Sequence, residues 1–267
     1  MCYFRCLFSR FLLLSVALSG LSCGSSSPTG PSVATVSVTT SATSLVVGET
    51  ATLRATLVGV SAMLPLVYAS DNLGVATVNA DGLVTAVGFG TATISARHST
   101  GPQGSVTIRV FPYMTGRWEV DIVSVSCTKI EEGPGDGPFF APCNDDAGSA
   151  AYIEFTIGSQ TSVSPNTMKL TGLFDAGTQK DLFEATVNTA GQLDWFTQSS
   201  SESVNINLIG NGTYTWSREG VFQVSGNGTS LSGEYVKTNR YHGFADSSIT
   251  AIYSRVWRVL VATGYDY

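Results

Sequence analysis

From Val33 onward, apolar and polar residues take turns in short runs, each closed by glycine, asparagine, aspartate or proline. A period of two puts alternate side chains on opposite faces of an extended strand, so such a chain buries one face and wets the other. Val36-Ser37-Val38, Ala51-Thr52-Leu53-Arg54-Ala55 and Thr91-Ala92-Thr93-Ile94-Ser95-Ala96 follow the rule. So do Trp118, Val120 and Ile122 around Glu119 and Asp121. Long runs with helical spacing are absent. Valine, threonine and serine fill the segments between the 28 glycines, which favours strands joined by tight turns. With 43% hydrophobic and only 13% charged residues, the chain is no disordered polyelectrolyte. The expected fold is all-β.

Within 33–111 the runs are short and close together. Leu45-Val46-Val47, Val75-Ala76-Thr77-Val78, Leu83-Val84-Thr85-Ala86-Val87 and Val106-Thr107-Ile108-Arg109-Val110 add further strands, and Asp81-Gly82 is a turn signal between two of them. So many short strands in about eighty residues indicate a β-sandwich. Three blocks carry a resemblance: Leu45-Val46-Val47-Gly48-Glu49-Thr50, Asn72-Leu73-Gly74-Val75-Ala76-Thr77-Val78, and Asp81-Gly82-Leu83 running on to Gly90-Thr91-Ala92-Thr93-Ile94. In this order they resemble the bacterial Ig-like domain, group 2. The resemblance implies a spacer, stalk or adhesion module of cell-surface proteins rather than an enzyme. Tyr68 stands where that family often has Trp, so the core aromatic here carries a hydroxyl that needs a partner or a route to solvent. His98 sits in a polar turn far from any cysteine or carboxylate cluster and reads as a solvated loop residue.

The segment 112–267 follows Phe111-Pro112-Tyr113 without a Gly/Ser linker, which suggests a fairly fixed orientation between the two parts. It holds every tryptophan of the chain and about eight to ten candidate strands, enough for an antiparallel barrel or a second sandwich. Asn211-Gly212 and Asn227-Gly228 separate successive runs and read as type I′ hairpin turns. Gly116-Arg117-Trp118 at the start, and Arg255 between Tyr253 and Trp257 near the end, resemble a lipocalin barrel. That likeness implies a carrier of a small apolar ligand. Trp118, Tyr214, Trp216, Phe222 and Trp257 are therefore candidates either for a ligand wall or for plain core. The irregular stretch 128–149 gathers Glu131, Glu132, Asp136, Asp145 and Asp146, but without the regular spacing of a calcium loop, and reads as a solvated acidic loop. Phe139 and Phe140 inside it either pack back or form a contact surface. No nucleophile elbow, catalytic His/carboxylate grouping, phosphate loop or zinc spacing is present, so no enzymatic activity, cofactor or metal is expected. With 17 acidic against 9 basic side chains in 112–267, nucleic acid is not an expected partner either.

The N-terminus carries an address. Arg5 and Arg10 precede the apolar stretch Phe11–Leu18, small residues follow, and Cys23 opens the polar run Gly24-Ser25-Ser26-Ser27-Pro28-Thr29-Gly30-Pro31-Ser32. This is a secretory signal, too short to span a bilayer. It resembles a bacterial lipoprotein signal, which implies acylation of Cys23 and a membrane anchor, the alternative being an ordinary secretory signal. With Cys2 and Cys6 in the leader and Cys23 at its end, Cys127 and Cys143 remain. An even remainder in an exported chain points to a disulfide, with two free thiols as the alternative. The expected parts are a signal peptide at 1–22, a lipidated Cys and tether at 23–32, an Ig-like domain at 33–111 and a β-domain at 112–267. Together they describe a bacterial cell-envelope lipoprotein of the outer membrane or cell surface. Its β-domain would bind a surface glycan, a protein or a small apolar ligand.

Overall fold

Strand follows strand along the whole of the computed structural model, which describes residues 34–59, 65–131, 143, 147–176, 179–197, 200–206, 210–244 and 249–265. The leader, Cys23, the tether, Phe139, Phe140 and most of the acidic loop lie outside the described residues.

Eight short strands come first: β1 (Thr35–Thr40), β2 (Ser44–Val46), β3 (Thr50–Val58), β4 (Val67–Ser70), β5 (Ala76–Val78), β6 (Leu83–Ala86), β7 (Gly90–Arg97) and β8 (Gln103–Phe111). They form two four-stranded sheets in the orders β1-β3-β6-β5 and β2-β8-β7-β4. The inward residues anticipated by the alternation, among them Leu53, Val84, Ile94 and Ile108, make one shared core. Gly82, at φ +80°, supplies the turn into β6, a conformation that strains other residues. Strand β4 escapes sequence reading because its four residues are only exposed or half-buried, so no hydrophobic alternation marks it. Tyr68, on β4, is half-buried against the core. His98 departs from expectation: it is fully buried, with Nδ1 2.7 Å from the Thr100 hydroxyl. The turn closes over the ring because the His98 amide donates to the Pro102 carbonyl and brings the chain back across it.

The longer strands are β9 (Gly116–Glu131), β10 (Ala150–Ser164), β11 (Thr167–Ala176), β12 (Gln179–Asn188), β13 (Gln192–Thr197), β14 (Ser200–Ile206), β15 (Gly210–Ser225), β16 (Ser230–Phe244) and β17 (Ile249–Tyr265). All nine belong to one antiparallel sheet that curls on itself. Strand β13 pairs with β12 on one side and with the second half of β15 on the other, completing a circuit of eight strands there. Strand β14 pairs with the first half of β15, and no ladder joins it to β12 among the described residues. The result is a barrel that is not closed along its whole length.

One predicted turn is corrected. Asn211 and Gly212 lie inside β15, opposite Asn205 and Val204, so they do not form the turn from β14. The β14–β15 ladder runs through this Asn-Gly pair and claims its backbone. At Asn227-Gly228 a turn does form, with φ +59° at Asn227 and φ +106° at Gly228.

That turn also meets the Ig-like end of the chain. Met114 N donates to Gln160 Oε1 at 3.0 Å while Gln160 Nε2 donates to the Pro112 carbonyl at 2.8 Å, so one side chain satisfies two backbone groups of the junction. Arg109 Nε donates to Asn166 Oδ1 at 2.8 Å. Val46, Phe111 and Met114 are buried in the same apolar cluster as Trp118 and the barrel interior. A Cβ at Gly228 would land on the Tyr113 carbonyl oxygen, in a backbone conformation that side chains already disfavour. Gly228→Ala should therefore lower stability by about 2 kcal/mol or more in a denaturant titration. An unchanged midpoint would show that the junction yields freely.

Candidate binding site

Residues opposite one another in an antiparallel ladder share a face, so the inward side chains of the barrel stack in levels. The half next to the junction is apolar. Trp118, Phe155, Leu170, Val187, Leu193 and Val224 fill it, with Trp195 at the centre. The Trp195 ring lies 5.3–5.8 Å from those of Phe155, Phe174, Phe183, Phe222 and Tyr235. What space remains is about 20 Å³, room for roughly one water molecule. Trp195 is among the residues that line it, and its Nε1 has no hydrogen-bond partner among the described residues.

The far half is built differently. Arg218 on β15 lies directly opposite Lys237 on β16, Lys237 lies opposite Arg255 on β17, and Arg255 faces Cys127 on β9. Three cations thus stand side by side across three adjacent strands, an arrangement in which like charges repel. On the junction side the next level holds Tyr235, Trp257 and Ser124. On the other side come Trp216, Asn239 and Tyr253, then Tyr214 and Tyr241. Asp181, on β12, forms an ion pair with Arg218, and the two side chains are only 2% and 1% exposed. Trp216 Nε1 donates to the same carboxylate oxygen at 2.7 Å, and the guanidinium lies 4.2 Å over the Phe174 ring. Desolvating two charges is costly, and the added hydrogen bond and ring contact offset part of it.

Arg218 is the buried end of this row. Lys237 and Arg255 are half-buried. Burial pushes the Lys237 ammonium down to about 8, and repulsion from Arg218 adds to the shift, while Asp181 opposes it. Burial raises Tyr241 to about 12, with Tyr214 and Tyr253 adding to the rise, and it raises Tyr235 as well. The Tyr214 hydroxyl donates to Asn239 Oδ1 at 2.7 Å, and the Tyr214 ring stacks 4.9 Å from Trp216 and 4.8 Å from Tyr241. Ser124 is 3% exposed, and its hydroxyl has no hydrogen-bond partner among the described residues. Cys127 and Cys143 are bonded, their Cα atoms 5.3 Å apart, on the β9 wall of this half.

Of the aromatics singled out in the sequence, Trp118 and Phe222 fall in the apolar half, while Tyr214 and Trp216 fall in the polar half. Trp257 is half-buried between them, with Arg255 5.5 Å from its ring. They are not one site. Sequence reasoning missed Asp181, Arg218 and Lys237, and met Arg255 only as part of the resemblance it shares with Tyr253 and Trp257. A signal existed: Tyr214, Trp216, Arg218, Gly220 and Phe222 are in phase along what proves to be one strand, β15. Among the described residues no group of three or more His, Cys, Asp or Glu side chains is placed to hold a metal ion.

No curated protein matches this chain. Residues 32–110 match the sequence model of the bacterial Ig-like domain (group 2). The two packed four-stranded sheets occupy that same stretch. The segment 32–110 is a bacterial Ig-like domain of group 2.

Proposed function

We infer that this protein is an exported cell-envelope lipoprotein, acylated at Cys23, in which the Ig-like domain presents the β-barrel as a binding or adhesion unit without catalytic activity. The observation that carries the reading is the order of the parts. A basic and apolar leader ends at Cys23, a polar tether follows, and an Ig-like domain of a surface-module family comes next. Gln160, Phe111 and Met114 then seal the junction to one end of the barrel. The charged and tyrosine-rich levels lie at the other end, where a partner meets them first. Carriage of a small apolar ligand is disfavoured, since about 20 Å³ in the apolar half is far below the size of such cargo.

The anchor is tested directly. One acyl chain binds a membrane only marginally, but each buried CH₂ adds about 0.8 kcal/mol, so several chains hold firmly. Cys23→Ser should move the protein to the soluble fraction and abolish fatty-acid labelling. A wild-type protein already soluble and unlabelled overturns the anchoring.

A further inference from the structure

We propose that the end of the Ig-like sandwich farthest from the barrel rests on an anionic lipid surface, with Val58 and Val67 entering the headgroup layer and Arg97 binding lipid phosphate. This rests on the reading of the protein as membrane-anchored and names the face that meets the membrane.

The register fixes what lies at that end. β1 begins at Thr35, which pairs with Val58 at the close of β3. In the other sheet Val67, the first residue of β4, pairs with Arg97, and Arg97 pairs with Gln103, the first residue of β8. The two sheets come together here: a Cβ at Gly104 would fall 2.3 Å from the Val36 carbonyl oxygen, so the β1 backbone lies against β8. From this end β8 travels to Phe111, which packs with the barrel interior. At roughly 3.3 Å per residue, its 9 residues put about 27 Å between this end and the barrel.

Two observations of different kinds make the membrane the occupant. The first is where the tether arrives. The chain from Cys23 enters the sandwich at β1, hence at this end. As a flexible chain rich in glycine and serine, residues 24–34 would have an r.m.s. span of about 18 Å, less than the length of the sandwich. An acylated Cys23 therefore holds this end near the bilayer at about millimolar effective concentration, where even a weak surface contact is populated. The second is the make-up of the end. Val58 is 60% exposed and Val67 is 68% exposed. Single exposed valines need no explanation, but these two stand on both sheets at the end the tether enters. Arg97 between them is exposed and forms no ion pair among the described residues. The acidic residues of the sandwich stand nearer the barrel: Glu49 accepts from the Val46 amide, Asp71 from the Thr93 amide, and Asp81 lies in the turn before β6. An arginine beside apolar side chains suits the headgroup layer, where the guanidinium meets phosphate. With 17 acidic against 9 basic side chains, 112–267 is repelled by the same anionic surface that attracts Arg97, so the field also turns the barrel outward.

The test replaces the acyl chain, so that the anchor and the contact fail separately. Mature protein carrying Cys23→Ser and an N-terminal hexahistidine tag is held, through a nickel-chelating lipid, on vesicles of phosphatidylethanolamine and phosphatidylglycerol. A fluorophore is placed on Ser99→Cys, in the exposed turn at this end, or on Val221→Cys, on the outer wall of the barrel. A headgroup-borne quencher should quench the first probe and spare the second. Arg97→Gln should lower the ratio of docked to undocked protein about fivefold. Val58→Ser combined with Val67→Ser should abolish quenching of the Ser99→Cys probe, with Tm unchanged because both side chains are exposed. Equal quenching of the two probes, no quenching of either, or wild-type quenching in both sets of variants overturns the proposal. The tag stands in for the lipid, so none of these results depends on acylation of Cys23, which the fractionation decides.

Discussion

Asp181→Ala should destabilise the protein by about 3–5 kcal/mol, the usual cost of removing one partner from a sealed ion pair. The Arg218 side chain is 1% exposed, and solvent cannot take over the work of the lost carboxylate. Trp216 loses the acceptor of its indole N–H in the same stroke. Replacing both partners by apolar residues of similar size, as in Asp181→Leu with Arg218→Met, should recover most of the loss or exceed wild-type stability. Equilibrium denaturation of the single and double variants decides it. A single variant within 1 kcal/mol of wild type would show that water enters this half of the barrel freely.

Trp195→Ala should cost about 3–5 kcal/mol, since it removes the ring on which five others converge and leaves a cavity the surrounding strands cannot close. Trp195→Phe should cost much less than a loss of that volume suggests. It also removes an indole N–H that is buried without a partner among the described residues, a group whose desolvation costs roughly 1–3 kcal/mol. Denaturant midpoints for the two variants should therefore lie far apart. Equal losses would mean that the volume of the ring does not set stability at this position.

The sheet architecture was legible because it is written locally. Leu53, Ile94 and Ile108 alternate with polar neighbours over single strands, and glycine at positive φ marks a turn such as that at Gly82. The charged interior was not legible because it arises between strands. Arg218, Lys237 and Arg255 are far apart in the chain and become neighbours only when two ladders fix their register. Arg218, flanked by Ser217 and Glu219, looks on its own like a solvated cation. Asn211-Gly212 misled for a related reason: the turn chemistry is local, but pairing with Asn205 and Val204 across β14 decided the outcome. His98 was misread because nothing in a polar turn announces that the turn will fold shut over a ring.

Val46 and Phe111 belong to the Ig-like sandwich by chain and to the barrel by packing. A cut between 111 and 112 would strip Phe111 from its neighbours and open the floor beneath Trp118, so neither piece is portable. A connection of this kind behaves as a weld rather than a hinge. Swinging the barrel would require pulling apart an apolar seam, not merely turning a few backbone bonds. The far end of the barrel is consequently carried at a set distance and bearing from the sandwich, and what is given up in searching a wide volume is recovered as reach along one direction.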